Sequence, residues 1–268
     1  MHIIAVIGAG KIGEALLSGL LRAGWPAKCL IATARRPERA EELLSRYGVP
    51  AMSNADAADA ADVLAIAVKP QDAAALMAEL GPRVPVDKLV VSLCAGLPTG
   101  FFARYLAEGT PVVRVMTNTP ALVDEAMTAI SAGAHATAEH LLLAEEMFRP
   151  LGRTIRVPES QQDAVTALSG SGPAYFYYLV EAMTDAGILL GLPRQVAYDL
   201  IVQTAIGSAV MLRDSGEHPV KLREAVTSPA GTTISAIREL EKHGVRAALL
   251  AALEAARDRA RELAEQST

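Results

Sequence analysis

The sequence is poor in the residues on which disulfide-bonded, metal-binding or nucleic-acid-binding proteins depend. Only two of its 268 residues are cysteines, Cys29 and Cys94, and both lie in apolar stretches, which indicates buried, reduced thiols. The five histidines are scattered, and no set of histidine, cysteine and carboxylate residues has metal-ligand spacing. The net charge is −5 and there is no basic run. We therefore predict no metal site and no nucleic acid partner.

Long apolar runs are also missing. No run reaches the ~18 uncharged apolar residues of a membrane span. The chain starts on a strand-like run instead of the charged and apolar regions of a secretion signal. With 51% hydrophobic residues, it still has enough apolar side chains for one large or two modest cores. We expect a soluble cytoplasmic protein without a membrane partner.

A glycine-rich segment follows the first apolar run. Residues 3–7 are continuously apolar, a GxGxxG pattern comes next without a gap, and helical periodicity then begins. The first glycine permits a tight turn, the second lets the backbone approach a pyrophosphate, and the third lets helix and strand pack closely. The N–H groups at the helix start then bind the phosphates. This pattern predicts a dinucleotide site that includes Gly8, Ala9, Gly10, Lys11, Ile12 and Gly13.

The second strand-like run ends without an acidic residue. An NAD-binding unit usually has Asp or Glu there to bind the ribose 2′-OH. Here Thr33 is followed by Arg35 and Arg36, and arginine can bind a 2′-phosphate bidentately. Two solvated arginines on a surface turn are the alternative, but their position favours NADPH, with NADH possible. Asn54 is predicted to be a helix N-cap, a ribose ligand, or both.

Short apolar runs alternate with amphipathic stretches up to residue 157. The predicted strands cover residues 3–7, 29–33, 49–52, 63–68, 89–93, 112–115, 127–130 and 153–157. The predicted helices between them cover residues 37–47, 70–80, 98–106 and 138–148. Such alternation predicts an α/β fold with a Rossmann-type, doubly wound, mostly parallel sheet in residues 1–157, whose last two strands are added at the far edge.

Residues 158–268 contain only helical patterns, and we predict that they form an all-α dimerisation and substrate domain. The predicted helices cover residues 162–168, 173–190, 193–212, 232–243 and 245–265. Residues 174–190 carry only Glu181 and Asp185 as charges, and residues 196–212 carry only Asp199. Helices this apolar need cover on nearly every side, which predicts a homodimer. The alternative is a membrane hairpin, which the interrupting polar residues disfavour.

Two loops at the carboxyl edge of the predicted sheet are further cofactor candidates, because open α/β sheets bind ligands at that edge. Ala67, Val68, Lys69 and Pro70 end one strand. Lys69 is either a ligand contact or an ordinary loop lysine before a proline at the first helical position. The next strand ends with small residues that would let a nicotinamide ring lie close to the backbone, namely Cys94, Ala95 and Gly96.

A hydroxyl-rich segment precedes the helix predicted at residue 232. Thr227, Ser228, Thr232 and Thr233 surround Gly231 there. Converging hydroxyls and free N–H groups predict a pocket for a small carboxylate, whereas a helix cap would need only one of the hydroxyls. Residues 169–173 form a second turn of small residues before a helix, which is either a close packing joint between domains or a site.

Lysine is absent between Lys88 and Lys221. A hydroxyacid dehydrogenase needs a proton carrier, often a lysine or histidine at the start of the helical domain. An imine can arrive already protonated, so that only a hydride needs to be delivered. The missing lysine therefore favours reduction of a C=N bond.

These segments together resemble the pyrroline-5-carboxylate reductase family. The resemblance includes the glycine motif and residues 67–70, 116–120, 168–175 and 227–233, in the same order over nearly the whole chain. Two positions depart from the family pattern. Thr117 replaces the usual proline, and this replacement is expected to loosen a turn near the nicotinamide. Ala230 stands where glycine is common.

The resemblance implies reduction of 1-pyrroline-5-carboxylate to L-proline with NAD(P)H, the last step of proline biosynthesis. It implies that Ser228 and the N–H groups of Gly231, Thr232 and Thr233 bind the substrate carboxylate, and that the Thr233 hydroxyl binds the ring nitrogen as the catalytic group. It also implies interleaved dimers, which can assemble as a decamer of five dimers, with each site where one subunit's nucleotide domain meets the helical dimer.

Two alternatives to this reaction remain open. One is an NADP-dependent reductase of another small imino or carbonyl acid. The missing lysine argues against a carbonyl acid as the substrate. The other is a non-catalytic NADPH-binding regulator. A regulator would not need the hydroxyls of Ser228, Thr232 and Thr233.

Overall fold

A computed structural model describes residues 2–266, and their contacts divide them into two compact units. The first unit contains residues 2–171 together with residues 256–266, and the second contains residues 172–255. The boundary between the two units, as the contacts define it, therefore lies after Ser171. The functional boundary after residue 157 stays a prediction.

Seven strands form a single sheet in the first unit. They are β1 (Ile4–Ile7), β2 (Leu30–Ala32), β3 (Val63–Ile66), β4 (Leu89–Ser92), β5 (Val112–Met116), β6 (Ala126–Ala132) and β7 (Gly152–Arg156). Their order is β2-β1-β3-β4-β5-β6-β7. The strands from β1 to β5 are mutually parallel, β6 runs antiparallel to β5, and β7 runs parallel to β6. The predicted fold class, with two strands added at the far edge, is confirmed.

Helices cover both faces of this sheet. They are α1 (Lys11–Arg22), α2 (Pro37–Tyr47), α3 (Asn54–Ala60), α4 (Pro70–Leu80), α5 (Thr99–Ala103), α6 (Ala138–Phe148) and the short α7 (Gln162–Val165). Successive side chains of β1 enter different cores: Ile4 and Val6 pack in the core that contains Phe148, and Ala5 and Ile7 in the core that contains Phe102. Burial on both faces explains why the parallel strands are apolar at every position.

Between residues 49 and 106 the structure differs from two local expectations and excludes one of the two roles predicted for Asn54. Residues 49–52 form no strand, and Ala51 only bridges Ala32. Residues 54–60 form the helix α3, for which Ser53 is the N-cap: its hydroxyl accepts a hydrogen bond from the N–H of Asp56 at 3.1 Å. Asn54 is therefore the first helical residue and not the N-cap. The helix predicted at residues 98–106 is shorter, because α5 ends at Ala103.

Four helices and the start of a fifth form the second unit. They are α8 (Gly172–Leu189), α9 (Arg194–Ser215), α10 (Pro219–Ala225), α11 (Thr232–Lys242) and α12 (Val245–Gln266), of which α12 ends in the first unit. The sequence did not predict α10. Its start has ordinary features, since Pro219 is at its first position and the ring of His218 accepts the N–H of Val220 at 3.3 Å. A single π-helical turn, Thr166–Gly170, follows α7 where an α-helix was predicted.

Helices α8 and α9 expose large apolar side chains in the single chain. These include Phe176, Tyr177, Tyr178, Met183, Val196, Tyr198, Leu200, Ile206, Val210, Met211 and Leu212. By length and composition alone, α9 is also apolar enough to cross a membrane, and only 6% of its apolar window is buried. Exposed apolar area of this extent marks an interaction surface.

Candidate functional site

The turn between β1 and α1 has the geometry of a pyrophosphate-binding loop. Gly8 has a φ of +83°, and a Cβ on it would lie 2.5 Å from Cγ1 of Val68. A Cβ on Gly13 would lie 2.9 Å from Cγ1 of Val6, so α1 can approach the sheet only with glycine there. A Cβ on Gly10 would meet only the Gly8 carbonyl oxygen, 4.0 Å away. The space beside Gly10 suits a ligand, and the first-turn N–H groups of α1 attract an anion.

Two neighbouring elements hold this loop in place. The N–H of Gly8 donates to the Thr33 hydroxyl at 3.0 Å, and the N–H of Ala9 donates to the Thr33 carbonyl at 2.9 Å. From α2, Nε of Arg39 donates to the Ala9 carbonyl at 3.2 Å. Thr33 is buried and accepts a hydrogen bond from the loop, but it keeps its own proton for donation.

Arg39 also joins α2 to α1 through a largely buried carboxylate. It contacts Glu14 at 2.5 Å, and the Tyr47 hydroxyl donates to Glu14 at 2.8 Å. Burial acts to raise the pKa of Glu14, but the hydrogen bonds and positive charge around the carboxylate outweigh it and hold that pKa below its usual range. The carboxylate therefore stays ionised at neutral pH. This bracing was missed, because Arg39 looks like an ordinary solvent-facing residue in the sequence.

A cleft of about 510 Å³ opens beside the end of β2. We call it the β2 cleft. It is lined by Gly8, Thr33, Ala34, Arg35, Met52, Ser53, Asn54, Val68, Asp72, Ala75, Leu76 and Glu79. Five predicted cofactor residues thus meet in one cleft, although they come from four different segments of the chain.

Asp72 in the β2 cleft was not among the predicted site residues. Its carboxylate forms an ion pair with the guanidinium of Arg35. Asp72 lies in the first turn of α4, where acidic residues are common because they interact favourably with the helix dipole. Nothing else about its position in the sequence indicates a binding site.

Other predicted cofactor residues lie outside the lining of this cleft. Arg36 is exposed at the N-cap of α2, and no residue in the described range 2–266 forms an ion pair with it. Lys69 is exposed at the N-cap of α4, which begins with Pro70, and Ala67 precedes that turn. Lys11 is exposed at the first position of α1.

A second cleft of about 770 Å³ lies at the end of β4. We call it the β4 cleft; its lining is Pro70, Gln71, Ala74, Ala95, Gly96, Phe101, Thr166, Ala260 and Leu263. Cys94 is absent from that lining and is buried, with its thiol donating to the Val68 carbonyl at 3.4 Å. Burial raises the pKa of Cys94 to about 12, which leaves the thiol protonated. Of the three predicted residues at the end of β4, only Ala95 and Gly96 therefore line this cleft.

The motif at residues 116–120 contacts the first residues of the motif at 168–175, and this contact lies within the first unit. Asn118 donates its amide to the Ser169 carbonyl at 3.1 Å and accepts the N–H of Met127 at 3.1 Å. A Cβ on Gly170 would lie 2.3 Å from Cε of Met116. Residues 169 and 170 of the small-residue turn thus pack closely against the loop after β5, and this packing lies inside the first unit.

Both departures from the family pattern have a structural consequence. Thr117 is buried and shares a 2.9 Å hydrogen bond with the hydroxyl of Thr128, a contact that proline could not make. The expected loosening of the turn stays a prediction. Ala230 has a φ of +57°, in the left-handed region. That conformation explains the preference for glycine there, since any side chain makes it less favourable.

The hydroxyl-rich segment lies in the second unit and turns into α11. Gly231 is the N-cap, and a Cβ on it would lie 2.4 Å from the Ser228 hydroxyl. Thr227 donates to the Arg223 carbonyl at 2.6 Å. Within residues 2–266, the hydroxyls of Ser228, Thr232 and Thr233 form no hydrogen bond.

Titratable groups are absent from this segment, because residues 226–234 contain no acidic, basic or histidine side chain. Across the described residues 2–266, no group of three histidine, cysteine or acidic residues is placed to hold a metal ion. What this segment offers a ligand is hydroxyl groups and backbone N–H donors.

Comparison with family models gives two matches. Residues 159–263 match the model described as pyrroline-5-carboxylate reductase dimerisation. Residues 3–96 match the model described as NADP oxidoreductase, coenzyme F420-dependent.

Individual proteins are similar over almost the whole chain. A pyrroline-5-carboxylate reductase of Mycobacterium tuberculosis is 45% identical over 283 residues, covering 97% of this chain and 96% of that protein. A solved reductase of the same name from Coxiella burnetii has a TM-score of 0.93 at 35% identity and covers 98% of both chains. The Plasmodium falciparum pyrroline carboxylate reductase, solved with NADP bound, has a TM-score of 0.89 at 28% identity, again over 98% of both chains.

Proposed function

This chain belongs to the pyrroline-5-carboxylate reductase family, an NAD(P)-dependent oxidoreductase family, and we propose from that premise that it reduces 1-pyrroline-5-carboxylate to L-proline. The imine arrives protonated on its ring nitrogen, so that a hydride added to the C=N carbon gives the ring amine directly, while NADPH becomes NADP⁺. The reaction is the last step of proline biosynthesis, and we expect it to take place in the cytoplasm.

The observation that carries this proposal is the set of unpaired hydroxyls at the start of α11. A helix cap requires one hydroxyl acceptor, whereas Ser228, Thr232 and Thr233 all lack a hydrogen-bond partner in the described range of the chain. Polar groups gathered at one helix N-terminus, without any charged side chain among them, suit a small anionic ligand. A cyclic imino acid with one carboxylate has that chemistry.

Each hydroxyl has a proposed role in holding the substrate. The Ser228 hydroxyl and the N–H groups of Gly231, Thr232 and Thr233 bind the carboxylate. The Thr233 hydroxyl bonds the ring nitrogen and holds the imine in one orientation. Orientation and fixed dipoles then lower the barrier, without a side chain that acts as acid or base.

The first unit contains groups that fit a phosphorylated dinucleotide. Gly10 leaves space for a pyrophosphate, while Arg35 in the β2 cleft and the nearby Arg36 suit a 2′-phosphate. NADPH supplies the hydride when it is bound. We propose that it contacts Gly8, Ala9, Gly10, Lys11, Ile12, Gly13, Thr33, Arg35, Arg36, Asn54, Ala67, Val68, Lys69, Pro70, Cys94, Ala95 and Gly96, with Cys94 contributing only its backbone.

We also propose that the protein is a homodimer that can assemble as five dimers. The exposed apolar side chains of α8 and α9 support the dimer, because a second copy would remove them from water. The matched dimerisation model covers both helices.

The direct test is to follow NADPH absorbance with purified protein and 1-pyrroline-5-carboxylate. We expect rapid oxidation of NADPH with stoichiometric formation of L-proline, and slower turnover with NADH. A small carbonyl acid in place of the imine is the control substrate. If NADPH binds but the imine is not reduced, the proposed reaction is wrong.

Replacing both Arg35 and Arg36 by alanine should raise the KM for NADPH at least tenfold and the KM for NADH less than threefold. A hydrogen bond to a charged group contributes about 1.5–3 kcal/mol, and only NADPH has the charged 2′-phosphate. Steady-state kinetics with both cofactors measure the difference. Arg83→Ala is the control, since Arg83 pairs with Asp59 away from the cleft. Equal increases for the two cofactors would contradict the 2′-phosphate assignment.

A further inference from the structure

The β2 cleft contains negative charge that the sequence did not reveal. No carboxylate stands at the end of β2 in the sequence, which is the reason for predicting NADPH. In the structure, α4 brings Asp72 and Glu79 into the same cleft as Arg35. The side chains that line the cleft therefore include two carboxylates and one guanidinium.

The two carboxylates occupy different positions along α4. Asp72, Ala75, Leu76 and Glu79 are spaced three or four residues apart, so they lie on one face of α4. At 1.5 Å per residue, Glu79 lies about 10 Å farther along the helix than Asp72. Asp72 pairs with Arg35, and no ion pair joins Glu79 to any residue in the described range 2–266.

This arrangement makes Arg35 a shared group. A 2′-phosphate that binds the Arg35 guanidinium must displace the Asp72 carboxylate or lie beside it, and like charges repel. A ribose 2′-OH has the opposite requirement, because it can donate a hydrogen bond to a carboxylate. Asp72 comes from α4, but it can do what an acidic residue at the end of β2 does in an NAD-binding unit.

We propose that Asp72 sets the cofactor specificity of this enzyme. With NADPH, Arg35 leaves Asp72 for the 2′-phosphate, and Arg36 adds a second cation. With NADH, Asp72 accepts the 2′-OH and keeps its ion pair with Arg35. The cleft thus accepts both cofactors, and Asp72 weakens the preference for NADPH. This inference rests on the proposed use of a nicotinamide dinucleotide.

The test is the dissociation constant of each reduced cofactor, measured through cofactor fluorescence without substrate. For Asp72→Asn we expect tighter NADPH binding and weaker NADH binding, with the ratio of the two constants shifted at least tenfold, which corresponds to about 1.4 kcal/mol. Glu79→Gln is the matched control, because it removes the same charge from the same cleft without touching Arg35. It should shift the ratio of the two constants much less than Asp72→Asn does, because Glu79 lies farther along α4 and does not pair with Arg35.

A double-mutant cycle tests the competition itself. If Asp72 acts on NADPH through Arg35, Asp72→Asn should improve NADPH binding much less in an Arg35→Met background. The inference is overturned if Asp72→Asn improves NADPH binding equally in the wild-type and Arg35→Met backgrounds. It is also overturned if Asp72→Asn alone leaves the ratio of the NADPH and NADH dissociation constants unchanged. Wild-type protein that binds neither cofactor overturns the proposed function instead, so the two failures are distinguishable. Thermal melting of each variant identifies any loss of folded protein.

Discussion

Thr233→Ala is expected to lower kcat/KM for the imine by about a hundredfold and to leave the dissociation constant of NADPH unchanged. The Thr233 hydroxyl lacks a hydrogen-bond partner within residues 2–266, so its removal takes nothing from the protein's own hydrogen bonding. The proposed contact is to the ring nitrogen, whose charge changes during hydride transfer. Loss of one oriented group at such an atom costs about 10²–10³-fold in rate.

Two variants separate this role from a general effect on α11. Thr233→Ser keeps the hydroxyl and should keep most of the activity. Ser235 lies on the same helix, and its hydroxyl donates to the Gly231 carbonyl at 3.1 Å. Ser235→Ala removes that hydroxyl and should have little effect on turnover. Steady-state kinetics and cofactor titration measure all three variants. Weaker NADPH binding in Thr233→Ala would show that the residue belongs to the cofactor site.

Ile206→Glu is expected to convert the dimer into monomers at micromolar concentration and to abolish activity. Ile206 is 52% exposed in the single chain, so a glutamate there is solvated in the monomer. In a two-fold interface both copies would bury the charge. An unpaired buried charge costs about 3–5 kcal/mol, which weakens association by at least about two orders of magnitude per copy.

Val86→Glu is the matched control, since Val86 is also 52% exposed but lies in the first unit. Sedimentation velocity should find this variant dimeric or larger, like the wild type, and circular dichroism should find both variants helical. A dimeric Ile206→Glu protein would show that α9 does not form the interface. A stable wild-type monomer would contradict the dimer altogether.

The nucleotide-binding sheet was predictable because its elements are defined by local patterns. Strand β1, the glycine turn and α1 follow one another within residues 4–22, and each has its own periodicity. The segment at residues 49–52 misled this reasoning, since an apolar residue beside β2 forms a bridge without becoming a strand. Short helices such as α3 and α10 are difficult for the same reason, because few residues carry their pattern.

The charges of the β2 cleft were not predictable from local patterns. Arg35 and Asp72 are 37 residues apart, and only the order of β2, β1 and β3 in the sheet brings them together. Arg114 is a similar case. It reads as one polar residue in a strand, yet it is buried beside Glu159 and Asp163, at 3.8 and 3.5 Å. Pairings of this kind depend on topology.

The first unit is discontinuous in the sequence, so its two parts are synthesised at different times. Residues 256–266 leave the ribosome after the whole of residues 172–255, several seconds later at about 5–20 residues per second. Ala260 and Leu263 therefore reach the β4 cleft after every strand of the sheet has emerged. On a nascent chain, the nucleotide-binding unit stays incomplete until the helical unit has been translated.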